Sequence, residues 1–237
     1  MAEDTGKHIG IVAVTAEGAA LCYRTVCHEG PRLLGPHRHP QVTMHTLPLH
    51  LYTERAQAGD WEGVGRLLLQ SAFVLEEAGA ELLICPDNTV HQGLDLIRDQ
   101  APLPWLHIAE EVAALAVRHR YKKVGVLGTR ALMEGPVYSD AFAMVGITPA
   151  VPKAEARQRL DELIFDELVE GRFEQATREI VQQMIRDLGE RGCEAVVLGC
   201  TEIPILIEEQ DSPLPALDST RILARAALRE STRDLIS

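Results

Sequence analysis

Long apolar runs are missing from this chain: no stretch approaches the ~20 consecutive apolar residues of a membrane-spanning helix. Aromatic residues are scarce, 4% against 46% hydrophobic overall. A core therefore has to be assembled from Leu, Val, Ile and Ala, which suits parallel sheets covered by helices. Lys and Arg form no basic stripe and the formal net charge is −12, so nucleic acid is not an expected partner. The five cysteines, Cys22, Cys27, Cys85, Cys193 and Cys200, are odd in number and none stands at CxxC spacing, which argues against a disulfide framework. The segment before Ile9 is short and polar, and the apolar stretch 9–14 is too brief for a signal peptide. A cytoplasmic protein is expected, with no membrane association.

What the chain does have is four short, almost wholly apolar runs flanked by turn residues, at 9–14, 81–85, 124–129 and 195–199. Such runs read as strands buried on both faces of a parallel sheet. Helical patterns lie between them, over 61–78, 108–119, 155–169, 173–188 and 219–235. In 61–78, Val64, Leu67, Leu68, Ala72 and Leu75 share one face, and Gly79 follows as a stop. This alternation predicts an α/β fold.

The spacing also repeats. Gly10 and Asp87 are 77 residues apart, and Gly125 and Cys200 are 75 apart. In each half an opening strand carries an early glycine, and a later strand ends in a polar signature: Asp87-Asn88-Thr89 in one, Cys200-Thr201-Glu202 in the other. The expected architecture is two pseudo-symmetric domains, each a parallel sheet flanked by helices, with the active site in the cleft between them. Residues 1–110 with 215–237 form the first half, and 111–214 the second. Parallel α/β sheets place ligands beyond the C-terminal ends of their strands, where both signatures fall.

Asn88, Thr89, Thr201 and Glu202 offer hydrogen-bonding groups at those strand ends, and helix N-termini following them would favour a carboxylate. A helix N-terminus would also draw Cys200 toward the thiolate, the form that acts as base or nucleophile. Racemisation needs a base on one face of a carbon, an acid on the other, and stabilisation of the enolate between them. Each residue has a plainer reading too. Cys200 suits a small buried core thiol, Asp87 and Asn88 suit a turn that caps a helix, and Glu202 suits a first-turn carboxylate facing the helix dipole.

Taken together, the residues resemble the aspartate/glutamate racemases. The stretch Val197-Leu198-Gly199-Cys200-Thr201-Glu202-Ile203 is similar to that family's second cysteine motif, and Cys85-Pro86-Asp87-Asn88-Thr89-Val90-His91 to its first. Further matches are Leu106-His107-Ile108-Ala109, Leu127-Gly128-Thr129-Arg130 with Met133-Glu134, and Ile164-Phe165-Asp166-Glu167-Leu168. The resemblance runs from 9 to about 218. It implies two pseudo-symmetric α/β domains with the site between them, often in a homodimer. It also implies a two-base mechanism without pyridoxal phosphate, so no cofactor is expected. Two cysteines flank the substrate α-carbon in that mechanism. Asn88 and Thr89 match residues that bind the substrate carboxylate, and Thr201 matches one that contributes in the same way.

Two departures stand out. The position directly before the Asn-Thr pair, where the family usually has its first cysteine, is Asp87. Cys85 lies two residues earlier, on the same side by strand alternation but deeper. An ordinary Asp, with a pKa of about 3.9, is ionised at neutral pH and donates a proton poorly, so an acid role for Asp87 requires burial or a nearby negative charge. The second departure is the turn after the first strand, where Ala13-Val14-Thr15-Ala16-Glu17-Gly18-Ala19-Ala20 replaces a Gly-Gly-Met turn followed by Ser or Thr. Thr15 then stands in for one lost hydroxyl, and Glu17 adds negative charge, which extends the expected substrates to amino acids with neutral or cationic side chains.

The reading is an amino-acid racemase with Asp87 and Cys200 as catalytic residues. Thr15, Asn88, Thr89, Thr129, Thr201 and Glu202 are its substrate-binding residues. The alternatives are a related cysteine-dependent isomerase or decarboxylase working through an enediolate, or an inactive sensor of small carboxylates. His37, Arg38 and His39 sit in a loop without acidic neighbours, so no metal is expected, although Arg38 could serve a substrate carboxylate. His91 is expected to support its loop rather than do chemistry. The run 125–129 lacks GxGxxG spacing and gives a dinucleotide no support.

Overall fold

A computed structural model describes residues 6–236. The chain divides into two compact units, one comprising 1–108 with 220–237 and the other 109–219. The first unit contains β1 (Ile9–Ala13), β2 (Val42–Thr46), β3 (Leu82–Ile84) and β4 (Trp105–Leu106), all parallel, in the order β2-β1-β3-β4. The second contains β5 (Lys123–Leu127), β6 (Thr148–Ala150), β7 (Ala195–Leu198) and β8 (Ala216–Asp218), also parallel, in the order β6-β5-β7-β8. Strand for strand the two topologies are the same. The expected pair of parallel sheets flanked by helices is thus observed.

The central strands β1, β3 and β7 are buried at every position. Helices cover them with one apolar stripe each. The helix Trp61–Glu77 is capped by Asp60, whose side chain accepts from Gly63 N at 2.9 Å. It turns Val64, Leu67, Leu68, Ala72 and Leu75 inward onto Leu83 and Cys85. In the second unit the helix Gln175–Glu190 places Val181, Met184, Ile185 and Leu188 against Val196 and Leu198.

The early glycines let those helices approach. A Cβ on Gly10 would lie 2.9 Å from Leu83 Cδ2 and 3.0 Å from Ala80 Cβ, and one on Gly125 would lie 2.8 Å from Leu188 Cδ1. Gly10 is crowded by the neighbouring strand, by the turn before it and, at 3.3 Å, by Leu75 of the covering helix, while Gly125 is crowded by Leu188 of its covering helix.

The helix expected over 155–169 is broken. An α-helix runs over Ala154–Leu163, and Ile164–Leu168 continues as one turn of π-helix. Glu167 in that turn is held by the Thr177 hydroxyl, and Phe165 is turned out to solvent. Wider turns of this kind cost backbone geometry and occur mostly as single insertions. Among the described residues, no helix is long and apolar enough to cross a membrane.

Candidate active site

Gly10 pairs with Leu83 across β1 and β3, and Gly125 pairs with Val196 across β5 and β7. Asp87 lies four residues beyond Leu83, and Cys200 four residues beyond Val196. Asp87 and Cys200 therefore occupy the same register position in the two sheets. Cys85 falls instead at the register position of Leu198, one pleat deeper.

In the first unit, Asp87, Asn88 and Thr89 follow one another on the turn after β3, and Thr15 lies past the end of the adjacent β1. Asp87 and Thr89 are half-buried and Asn88 is buried. The Val90 backbone N–H points at Asp87 Oδ1 from 3.4 Å, at the outer limit of a hydrogen bond. Thr15 precedes the helix Ala16–Glu29 without capping it through its side chain, and Glu17 is exposed in the first turn.

Cys85 is fully buried. Burial pushes its thiol well above the ordinary range, and the Asp87 charge pushes it further, against a partial offset from the Asp87 backbone N–H. Cys85 is held as S–H and is poorly suited to be a base. Beneath it, His91 Nε2 donates to the Cys85 carbonyl at 3.0 Å. His91 is itself fully buried and stands edge-on to His107, ring centroids 4.3 Å apart. Burial and the His107 ring hold His91 well below its ordinary pKa, so it stays neutral. This histidine supports the turn, in the role the sequence suggests.

In the second unit, Cys200, Thr201 and Glu202 lie past the end of β7, next to Thr129 past the end of β5. Gly199 N donates to Leu127 O at 2.7 Å, clamping the two strand ends together. Thr129 caps the short helix Arg130–Glu134 by accepting from Leu132 N at 3.2 Å. Cys200, Thr201 and Glu202 are all buried. The Cys200 thiol donates to Glu202 Oε2 at 2.9 Å, and the Thr201 hydroxyl donates to the same oxygen at 2.8 Å. Glu202 thus faces back onto the thiol.

The expected helix-dipole assistance is small. The helices after the two signatures, His91–Leu94 and Ile203–Leu206, are single turns of four residues, with few aligned peptides to sum. At Cys200 the neighbouring group is instead a carboxylate, whose acceptance of the S–H proton favours the thiol over the thiolate. Arg38 stands on an exposed loop whose backbone reaches positive φ at His37. Among the described residues, no three His, Cys, Asp or Glu side chains are grouped to hold a metal ion.

The Asp/Glu/hydantoin racemase family model matches residues 3–227. The chain belongs to the Asp/Glu/hydantoin racemase family. This membership makes it an isomerase of the amino-acid racemase class. It is similar to the broad specificity amino-acid racemase RacX of Bacillus subtilis, 23% identical over 190 residues, covering 80% of this chain and 81% of that one. It also resembles the glutamate racemase of Limosilactobacillus reuteri, 26% identical over 137 residues, but the match spans only 50% of that enzyme's length. Among solved structures, a candidate Asp/Glu racemase from Yersinia pestis superposes with a TM-score of 0.87 at 30% identity, covering 95% of this chain and 99% of that one. An aspartate racemase homologue from Pyrococcus horikoshii superposes with a TM-score of 0.82 at 28% identity, again covering 95% and 99%.

One group in this family member escaped the sequence reading. Tyr52, on the helix Leu49–Gln57, is buried in the core cluster that contains Cys85 and Val90. Nothing in a single Tyr between Leu51 and Thr53 marks it.

Proposed function

We propose that this racemase interconverts the enantiomers of a small α-amino acid with one carboxylate and one thiol, Asp87 and Cys200, on opposite faces of the α-carbon. The observation that carries this reading is the shared register of the two residues, with the alternative thiol of Cys85 buried and protonated.

In one direction the Asp87 carboxylate takes the α-proton and the Cys200 thiol delivers its own proton to the other face. The enzyme is left with protonated Asp87 and thiolate Cys200, which is the form that accepts the opposite enantiomer. Glu202 orients the Cys200 thiol through its 2.9 Å contact. Asn88, Thr89 and Thr201 bind the substrate carboxylate, and Thr15 and Thr129 border it. Their donors stabilise the charge that develops as the α-proton leaves. A homodimer is part of the proposal, and sedimentation velocity tests it.

The test is incubation in D2O with separate L- and D-amino acids bearing acidic, neutral and basic side chains, following α-proton loss by NMR together with chiral analysis. Exchange with inversion, lost in Asp87→Asn and Cys200→Ser, supports the assignment. No exchange with any substrate overturns it.

A further inference from the structure

Tyr52 is one of only four tyrosines in the chain, and it is 1% exposed. It belongs to the buried cluster that also contains Val14, Leu83, Cys85, Val90 and Leu94, and Cys85 and Val90 flank the turn that carries Asp87. A phenylalanine would fill that volume without a polar atom. The hydroxyl is buried and makes no full hydrogen bond. Burying such a group unpartnered costs stability, so its presence calls for a nearby acceptor that a side-chain rotation can bring to it.

The surroundings narrow the choice of partner. On one side stands Ser71, itself fully buried. It is engaged with His45 Nδ1 at 3.0 Å and lies next to the phenol without the geometry of a full hydrogen bond. On the other side are Cys85 and Asp87, both near enough to repel a phenolate. Burial, first of all, and these two groups hold the phenol above its ordinary pKa, with Ser71 opposing. Cys85 is a thiol that burial keeps protonated. Asp87, between the cluster members Cys85 and Val90 in the chain, is the anionic acceptor that this neutral O–H donor has nearby.

We propose that Tyr52 is a positioning residue for Asp87, donating a hydrogen bond from its phenol to the ionised carboxylate and so fixing the orientation of the base. No proton is transferred in this contact; it stays on Tyr52. The bond requires only that the Asp87 side chain turn inward from its long 3.4 Å contact with Val90 N. This inference rests on the assignment of Asp87 as a base, but its first test does not depend on turnover.

A donor to the charged form of an acid lowers that acid's pKa, and removing the donor raises it. The experiment is 13C NMR titration of Asp side-chain carboxyls in the wild-type protein and in Tyr52→Phe, with the Asp87 resonance identified by its loss in Asp87→Asn. The Asp87 midpoint is expected to move to higher pH in Tyr52→Phe while the other Asp midpoints stay in place. An unmoved Asp87 midpoint in folded Tyr52→Phe overturns the proposal. The kinetic counterpart is a fall in kcat of about tenfold with KM nearly unchanged, and an acid limb of the pH profile displaced upward. Equal losses across all pH values, without displacement, would reduce Tyr52 to a packing role. If the wild type shows no α-proton exchange, the racemase assignment fails on its own, and the titration still decides whether Tyr52 holds Asp87.

Discussion

Replacing Cys85 by alanine separates the two candidates for the first base. The side chain is fully buried in the cluster that also holds Tyr52, Leu83 and Val90, so truncation removes one buried heavy atom and leaves a small void. Removal of a single buried heavy atom costs about 1 kcal/mol when the site does not collapse. For a chain of this size that corresponds to a fall in Tm of about 2–4 °C. The chemistry should be nearly untouched. Even at an ordinary thiol pKa of about 8.5, only about 3% of a cysteine is thiolate at pH 7, and burial with the Asp87 charge takes Cys85 lower still. The assay pairs differential scanning calorimetry with α-proton exchange in D2O. Cys85→Ala should melt slightly earlier and exchange within about twofold of wild type, whereas Asp87→Asn should lose a factor of about 10²–10⁴, the range of a positioned acid–base group. A folded Cys85→Ala protein that has lost exchange by 10²-fold would refute the reasoning and return the first base to Cys85.

Glu202→Gln removes the carboxylate that accepts from the Cys200 thiol at 2.9 Å; kcat should fall by about 10²-fold as the thiol loses its orientation, and the pH dependence of iodoacetamide labelling at Cys200 should move to lower pH, because the lost contact favoured the protonated thiol, measured by mass spectrometry of the Cys200 peptide. Gly10→Ala and Gly125→Ala drive a methyl to within 2.9 Å and 2.8 Å of packed leucines, costing about 1–3 kcal/mol each in urea melts, with Gly10→Ala the worse because Ala80 Cβ also stands 3.0 Å away. His91 is neutral when folded and its pKa is depressed, so the unfolded chain binds the extra proton first; its contribution to stability is complete above about pH 6.5 and is lost as pH falls below it. His91→Gln should flatten that acid limb in thermal melts between about pH 7 and 5, and an unchanged slope would count against burial as the cause.

The central strands were legible because burial on both faces writes an unbroken apolar run: β1, β3 and β7 lie within runs visible in the sequence, and β5 begins one residue before its run, at Lys123. Their neighbours were not. β2 is half-exposed and alternates, with Thr43, His45 and Thr46 breaking the run. β4 and β8 have two and three residues, too short for any period to register. β6 contains Pro149, which sequence rules count against a strand although an edge tolerates it. The break at Ile164 was hidden because a π turn keeps the same residues helical while shifting the hydrogen-bond partner by one. At the site, the polar strand ends could be read, and strand alternation rightly set Cys85 deeper than Asp87. The return of Glu202 onto Cys200 could not be read, since the path of a three-residue turn carries no periodic signal. Tyr52 was missed for a related reason: its significance comes from contacts across 33 residues to Cys85, not from its local neighbours.

The matching register of Asp87 and Cys200 has a consequence for the direction of turnover. Two equivalent positions filled by the same acid would give a catalyst indifferent to handedness, since either resting proton arrangement would be as common as its mirror. A carboxylic acid and a thiol differ in ordinary acidity by over four units of pKa, so one arrangement dominates at rest, and it is ready for only one enantiomer. The Haldane relation still fixes the ratio of kcat/KM for the two enantiomers at one, because the equilibrium between mirror images is symmetric. It leaves kcat and KM free to diverge together, so a saturated enzyme can turn one hand over faster than the other. In such a molecule, chirality of rate is encoded by which half of the fold carries a thiol at that register position.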